Sequence, residues 1–310
     1  MSTRMTFHIR TLSPVHLGCD EDYEPIGFVI DESRNTLVSF DPLNFLMSLS
    51  SDNRDRFAGI CRKGTVESLF DLYRFMKGKT FPGREVQLCS GFQAHYRKTL
   101  GMKDVERIKK ELNRFVISRT AFNPNTSFPY IPGSAIKGAL RTAWLNKKQD
   151  EKNLPKERDA RKERELEKKL LDGGSFSSDP FRLVKVSDFM PRGLARTKII
   201  YAVNKKKRLS KFEARGPYQI LEVIQPGMVF EGTITVEKPA DETAVSAPIV
   251  PQALLNSAIR FYANVKKTED MDLQKIGVEP VIIDEIPQGG FLLRIGRHSG
   301  AESLTVTGQR

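Results

Sequence analysis

Three clusters in this sequence have the residue types to handle a phosphodiester chain. In PYIPGSAIKGALRTAW, residues 129–144, Gly133 and Ser134 open what reads as a helix, and Lys137 and Arg141 follow four residues apart. Like charges at that spacing cost an isolated helix roughly 0.2–0.5 kcal/mol. Cations also sit poorly near a helix N-terminus, where the dipole favours anions. A phosphate there would remove both penalties. With Ser134 as N-cap, free N–H groups would point at it, the glycine would let it approach, and the cations would neutralise it. An amphipathic helix whose cations face water gives the same pattern, so both readings stand. The order GSAIKG is not that of a nucleotide-binding P-loop.

The second cluster is RIGRHSG, residues 294–300. Gly296 and Gly300 would let main chain approach a phosphodiester, while Arg294, Arg297, His298 and Ser299 supply charge, a ring and hydrogen bonds. A tight turn with a basic rim is the plainer alternative. The third is NKKKRLSKFEARGPY, with Lys205, Lys206, Lys207, Arg208, Lys211 and Arg215 in one short connection. It reads either as a solvated tip or as a basic hairpin that grips RNA or a neighbouring subunit. Phe212 is its one aromatic, so base stacking is weakly supported there.

Acid–base chemistry has fewer footholds. His16 lies close to Asp20, Glu21 and Asp22, and a histidine titrates near neutrality. That leaves a metal-independent endoribonuclease using His16 or His298 as the alternative to a non-catalytic protein. The four histidines, at 8, 16, 95 and 298, show no paired metal-ligand spacing, and no nucleophile elbow is present. Neither a metal nor a cofactor is expected.

The 310 residues carry a net charge of +12, with 28% charged and 39% hydrophobic residues. This is a globular composition with a field that attracts polyanions, nucleic acid first. Cys19, Cys61 and Cys89 are odd in number and widely spaced, which suits a reducing compartment. Without an apolar leader or a membrane-length run, the expected location is the cytoplasm, with no membrane partner.

The elements that would position these clusters follow from periodicity. MTFHIRTL alternates as a half-buried strand, with Met5, Phe7 and Ile9 inward. GFVIDESRNTLVSF reads as a hairpin around Asp31–Asn35. Asp41 and Pro42 start a helix, and TVESLFDLYRFMKG and KDVERIKKELNRFV continue the helical count. Ile136, Ala139, Leu140, Ala143 and Trp144 form a complete apolar stripe on the helix after Gly133. The run from 146 to 174, almost wholly charged, reads as a solvated helical excursion or insertion and not as a binding face. FRLVKVSDF, TKIIYAV and YQILEVIQPGMVFEGTITVE supply strands, the last pair turning at Pro226-Gly227. PQALLNSAIRFYANV is a helix, and the final segment from 289 reads as strand, glycine-containing loop, strand. The fold class is α+β, with a ferredoxin-like antiparallel sheet and helices, as one heavily inserted module or two in tandem. The expected division is 1–148 as an N-terminal module, 149–174 as the charged insertion and 175–310 as a β-rich C-terminal module bearing the basic hairpin.

SPVHLGCDEDY at 13–23, PYIPGSAIKGALRTAW at 129–144 and LLRIGRHSGAESLTVTG at 292–308 together resemble the Csm-five subunits of type III-A CRISPR effector complexes. These belong to the RAMP superfamily of RNA-recognition-motif-like folds. The resemblance implies a single-copy, non-catalytic subunit that caps the effector at the 3′ region of the crRNA and assists crRNA maturation and assembly. It implies contact with a backbone RAMP subunit and with the small helical Csm subunit, target RNA close by, and a maturation nuclease as a partner. It places Gly133, Ser134, Lys137 and Arg141 along the guide backbone. The Gly-Gly-x-Asp loop of target-cutting siblings is missing from HLGCDEDYEPIGF, so no catalytic aspartate carries over.

Overall fold

The structure is a computed structural model; it describes residues 2–112, 114–156, 163–173, 175, 177–239, 245–283 and 285–309. In chain order the first half holds β1 (Thr3–Arg10), β2 (Gly18–Asp22), β3 (Phe28–Asp31), β4 (Thr36–Ser39), α1 (Pro42–Ser48), α2 (Ser51–Lys63), α3 (Val66–Met76), β5 (Arg84–Leu88), α4 (Phe92–Leu100), α5 (Val105–Leu112), β6 (Ile117–Thr120) and α6 (Gly133–Lys152). The second half holds α7 (Glu163–Leu171), β7 (Val184–Val186), β8 (Met190–Pro191), β9 (Thr197–Ala202), β10 (Gln219–Ile224), β11 (Val229–Val236) and α8 (Pro251–Lys275).

β1 behaves as its alternation predicts, turning Met5, Phe7 and Ile9 inward and leaving Arg4, Thr6, His8 and Arg10 exposed. Its partner is remote in sequence. It pairs antiparallel with β11 from Thr3 opposite Val236 to Arg10 opposite Val229. β7 and β8 take the other edge of β11. α6 and α8 cover the apolar face of this sheet, their Ile136, Leu140, Trp144, Leu254 and Tyr262 sharing one core with Phe230 and Ile234.

The second sheet runs β2-β6-β10-β9-β5-β4-β3. It is mixed, since β6 with β10 and β5 with β9 are parallel, so the expectation of an antiparallel sheet holds only for the first. α3, α4 and α5 bury one face through Phe70, Tyr73, Phe92, Tyr96 and Ile108. α1 and α2 cover Val29 and Val38 on the other, with Phe45 and Ile60. Burial of such a side chain contributes about 1.5–3 kcal/mol, which outweighs the weak propensities of these short elements. The α+β class is borne out. The two sheets cut across the expected division, because β1 joins β11 from 229–236, and β2–β6 join β9 and β10.

A fully buried carboxylate sits inside the second sheet. Glu222 on β10 is ion-paired with Arg84 of β5 and accepts from the Tyr23 hydroxyl at 2.9 Å. Arg84 also donates to Thr197 Oγ1 at 2.6 Å and to the Tyr23 oxygen at 3.2 Å. Burial and the neighbouring Glu222 carboxylate push the Tyr23 phenol far up, so its proton stays in place.

Two sequence expectations are corrected here. The final segment from 289 forms no strand among the described residues; it is extended coil with a 3-10 turn at Ala301–Ser303. Its apolar side chains Phe291, Leu292, Leu293 and Ile295 pack on the first core instead of joining a ladder. The charged run is not simply solvated. Leu170 and Leu171 of α7 are buried in that core, and Lys152 holds Asp172 at 2.6 Å. Periodicity within so polar a stretch hides two buried leucines. Residues 157–162 of that run lie outside the described residues.

Candidate nucleic-acid interface

The α6 cluster is partly occupied by the protein's own acids. The helix begins at Gly133 with Pro132 in the cap position, two residues before the expected Ser134 cap. The Gly133 N–H donates to Asp188 Oδ1 at 2.8 Å, so a carboxylate from after β7 takes the place foreseen for a phosphate. The glycine is required for a different reason than anion approach. A Cβ at 133 would lie 2.5 Å from the Val186 carbonyl oxygen and 2.6 Å from that of Ser187. Arg141 is half-buried between Asp179 and Glu167, each at 2.8 Å, over the Phe181 ring. Its like-charge strain is relieved internally, by Glu167 from the very excursion read as solvated. Lys137 differs. It has no hydrogen bond or ion pair among the described residues, and burial and the nearby Lys185 push its ammonium down. Ser134 is exposed.

The glycine loop is built against His16. Gly296 has φ +90°, and a Cβ there would meet the His16 carbonyl oxygen at 2.5 Å. The Arg297 N–H donates to that same oxygen at 2.9 Å. Beyond it His298, itself left-handed at φ 64°, donates from Nε2 to Gln219 Oε1 at 3.0 Å. The Ser299 hydroxyl folds back onto the Gly296 carbonyl. The loop therefore displays Arg297 and His298 outward on a fixed backbone. Arg294 is engaged, paired with Glu269 at 2.7 Å.

His16 is buried, and its Nδ1–H donates to the Glu222 carbonyl at 2.7 Å. That bond fixes the tautomer, leaving Nε2 as a bare acceptor, buried and without a partner among the described residues. Burial, then the Arg297 charge, push its pKa below the ordinary 6.5 against the pull of the Glu222 carbonyl and carboxylate. Folding thus favours the neutral ring, while the unfolded chain takes up a proton near 6.5. The resulting stability is full above pH 6.5 and is lost as pH falls below it towards the lowered value. Urea denaturation between pH 7.5 and 5.5 should show declining stability, and His16→Gln should flatten that decline. An unchanged profile in the variant would exclude this ring as its source.

The basic connection leaves β9 and returns at Gln219, so its C-terminal root touches His298 of the glycine loop. Lys207 pins it further, reaching Glu302 at 2.6 Å and Asp272 at 3.3 Å. Lys206 donates to Ser210 and lies 5.7 Å from the Phe212 ring. Arg208, Lys205 and Lys211 have no ion pair among the described residues. The structure thus brings the second and third clusters together, whereas Lys137 neighbours Lys185 of β7. Sequence reading missed the acids that answer Arg141, Lys207 and the helix start. Asp179, Glu167, Asp272, Glu302 and Asp188 are distant along the chain, and no local pattern marks them.

The sequence profile of the RAMP superfamily matches residues 8–271. The chain belongs to the RAMP superfamily. This RAMP chain is 25% identical over 188 residues to the CRISPR system Cms protein Csm5 of Methanocaldococcus jannaschii, covering 57% of its own length and 40% of the relative's. It therefore spans less than half of that protein. The crystal structure of T. onnurineus Csm5 superposes with a TM-score of 0.59 at 18% identity, over 96% of this chain and 91% of that one. A chain of the cryo-EM structure of a Csm-crRNA-target RNA ternary complex of a type III-A CRISPR-Cas system gives 0.58 at 19% identity, over 98% and 87%. At such identities the superpositions establish the fold. Among the described residues no group of three or more His, Cys, Asp or Glu could hold a metal ion, and no helix is long and apolar enough to cross a membrane.

Proposed function

We propose that this RAMP chain is a non-catalytic RNA-binding subunit of a type III-A CRISPR ribonucleoprotein, holding the 3′ part of the crRNA and assisting its maturation. The observation that carries this reading is the junction of two cation-bearing loops. Arg297 and His298 project from a loop that requires glycine at 296, and that loop meets the basic connection carrying Lys206 and Arg208 through the His298–Gln219 and Lys207–Glu302 contacts. Lys137 and the exposed Ser134 add a separate contact. Arg141 and Lys207 serve as internal ties, and Gly133 serves packing. The names of the relatives support the same reading. So does the resemblance, which adds a backbone RAMP subunit, the small helical subunit, nearby target RNA and a maturation nuclease as partners.

Phosphate neutralisation of this kind tolerates sequence and weakens with salt. Lys137→Ala should reduce the log–log slope of single-stranded RNA binding against salt by roughly 0.7. Arg141→Ala should leave the slope unchanged and instead lower stability by about 1 kcal/mol, solvent screening keeping the loss small. The reverse outcome would exchange their roles. Metal-free cleavage of precursor RNA, abolished by His16→Ala or His298→Ala, would replace the non-catalytic reading. Against cleavage stands the burial of the bare His16 nitrogen.

A further inference from the structure

Among the described residues, helices α6 and α8 cover one face of the sheet formed by β1, β11, β7 and β8, and the alternate residues of β1 are exposed on the other. On the outward face the register aligns Arg4, Thr235 and Lys185 in one row. Thr6 and Thr233 form the next, with the Ser187 hydroxyl accepting the Thr233 N–H at 2.8 Å. His8, Glu231 and the exposed Met190 follow, then Arg10 and Val229. Arg4 and Arg10 are exposed and have no ion pair among the described residues. Glu231 is the acid within these rows, and it is answered twice, by His8 at 2.8 Å and Arg192 at 3.2 Å. Just past β11, Glu237 reaches Lys185 only at 3.9 Å.

We infer that this outward face is a second seat for single-stranded RNA, gripping backbone phosphates across β1 and β11 without reading bases. Its chemistry selects that occupant. Cations stand at both ends of β1, about 20 Å apart at ~3.4 Å per residue. Between them lie hydroxyls that can donate to phosphate oxygens. The rows hold no Phe, Tyr or Trp, and their apolar residues are Val229 and the exposed Met190 of β8. The large aromatic anchors of a protein interface are therefore missing, and the His8 imidazole is the one ring in these rows on which a base could stack. Lys185 adjoins Lys137 at the start of α6, so one strand could run from that contact onto the sheet. In this respect the inference rests on the proposed RNA-binding function and deepens it.

The test is fluorescence anisotropy with a 30-nucleotide oligouridylate over a salt series, using the full chain. Arg4→Ala/Arg10→Ala should cut the slope by about 1.4 and weaken binding about tenfold near 0.1 M salt. Arg4→Lys/Arg10→Lys, which keeps the charge, should bind as the native chain does. Thr6→Glu, introducing an acid at mid-face, should weaken binding as well. Native affinity in the alanine and Thr6→Glu variants, with Arg297→Ala still weakened, would overturn the sheet proposal and leave the proposed function standing. Absence of oligouridylate binding by the native chain would overturn both. Equal competition by polyglutamate would show a surface for acidic protein instead and also overturn the sheet proposal.

Discussion

Arg84→Met is expected to destabilise the protein by about 3–5 kcal/mol at neutral pH. The substitution removes the guanidinium and leaves the Glu222 carboxylate fully buried, with the Tyr23 hydroxyl and the Thr120 N–H as its remaining donors. An uncompensated buried charge costs far more than the intact pair contributes. The location magnifies the loss, because β10 and β5 flank β9 at the centre of the seven-stranded sheet. The double variant Arg84→Met/Glu222→Met should recover most of it, since an apolar pair of similar volume is often neutral or better. Denaturation of the native, single and double variants closes a mutant cycle with a coupling of several kcal/mol. Single variants that each lose less than about 1 kcal/mol would show that water reaches this carboxylate.

Gly296→Val is expected to weaken single-stranded RNA binding about 10- to 30-fold while the protein stays folded. At φ +90° a branched residue is strained. The added Cβ would also press on the His16 carbonyl oxygen at 2.5 Å, an atom held by the core and unable to yield. The loop must therefore leave its seat, carrying Arg297 off the His16 carbonyl and His298 off Gln219. Loss of two or three phosphate contacts at roughly threefold each gives the stated range. A thermal melt separates this from unfolding, as the loop lies at the edge of the packed core. Native affinity in a folded Gly296→Val chain would remove the glycine loop from the interface.

Local pattern served well wherever one element carried its own signal. The alternation of β1, the Asp41-Pro42 start of α1 with its Leu43 N–H bonded to Asp41, and the apolar stripe of α6 all appear as expected. Long-range pairing was not legible. Nothing near Met5 announces Ile234 as its partner, and the parallel neighbours β5 and β9 are equally silent in sequence. The same limit governs the site. Glycines and cations could be seen at 133–141, 205–208 and 296–298, but whether a cation is free depends on acids placed by the fold. Asp179 and Glu167 take Arg141, and Glu302 takes Lys207, while Lys137 and Arg297 are left available. The terminal segment failed for the opposite reason. Its apolar run is real, but those side chains pack on a core and pair with no strand among the described residues.

The central claim is that charge left unanswered by the protein's own carboxylates is answered by the backbone of single-stranded RNA. Its most direct test is the salt dependence of binding for two unrelated single-stranded RNAs of equal length. Three to six phosphate contacts predict log–log slopes between about −2 and −4, the same for both sequences. A slope near zero, or binding of one sequence alone, would contradict it.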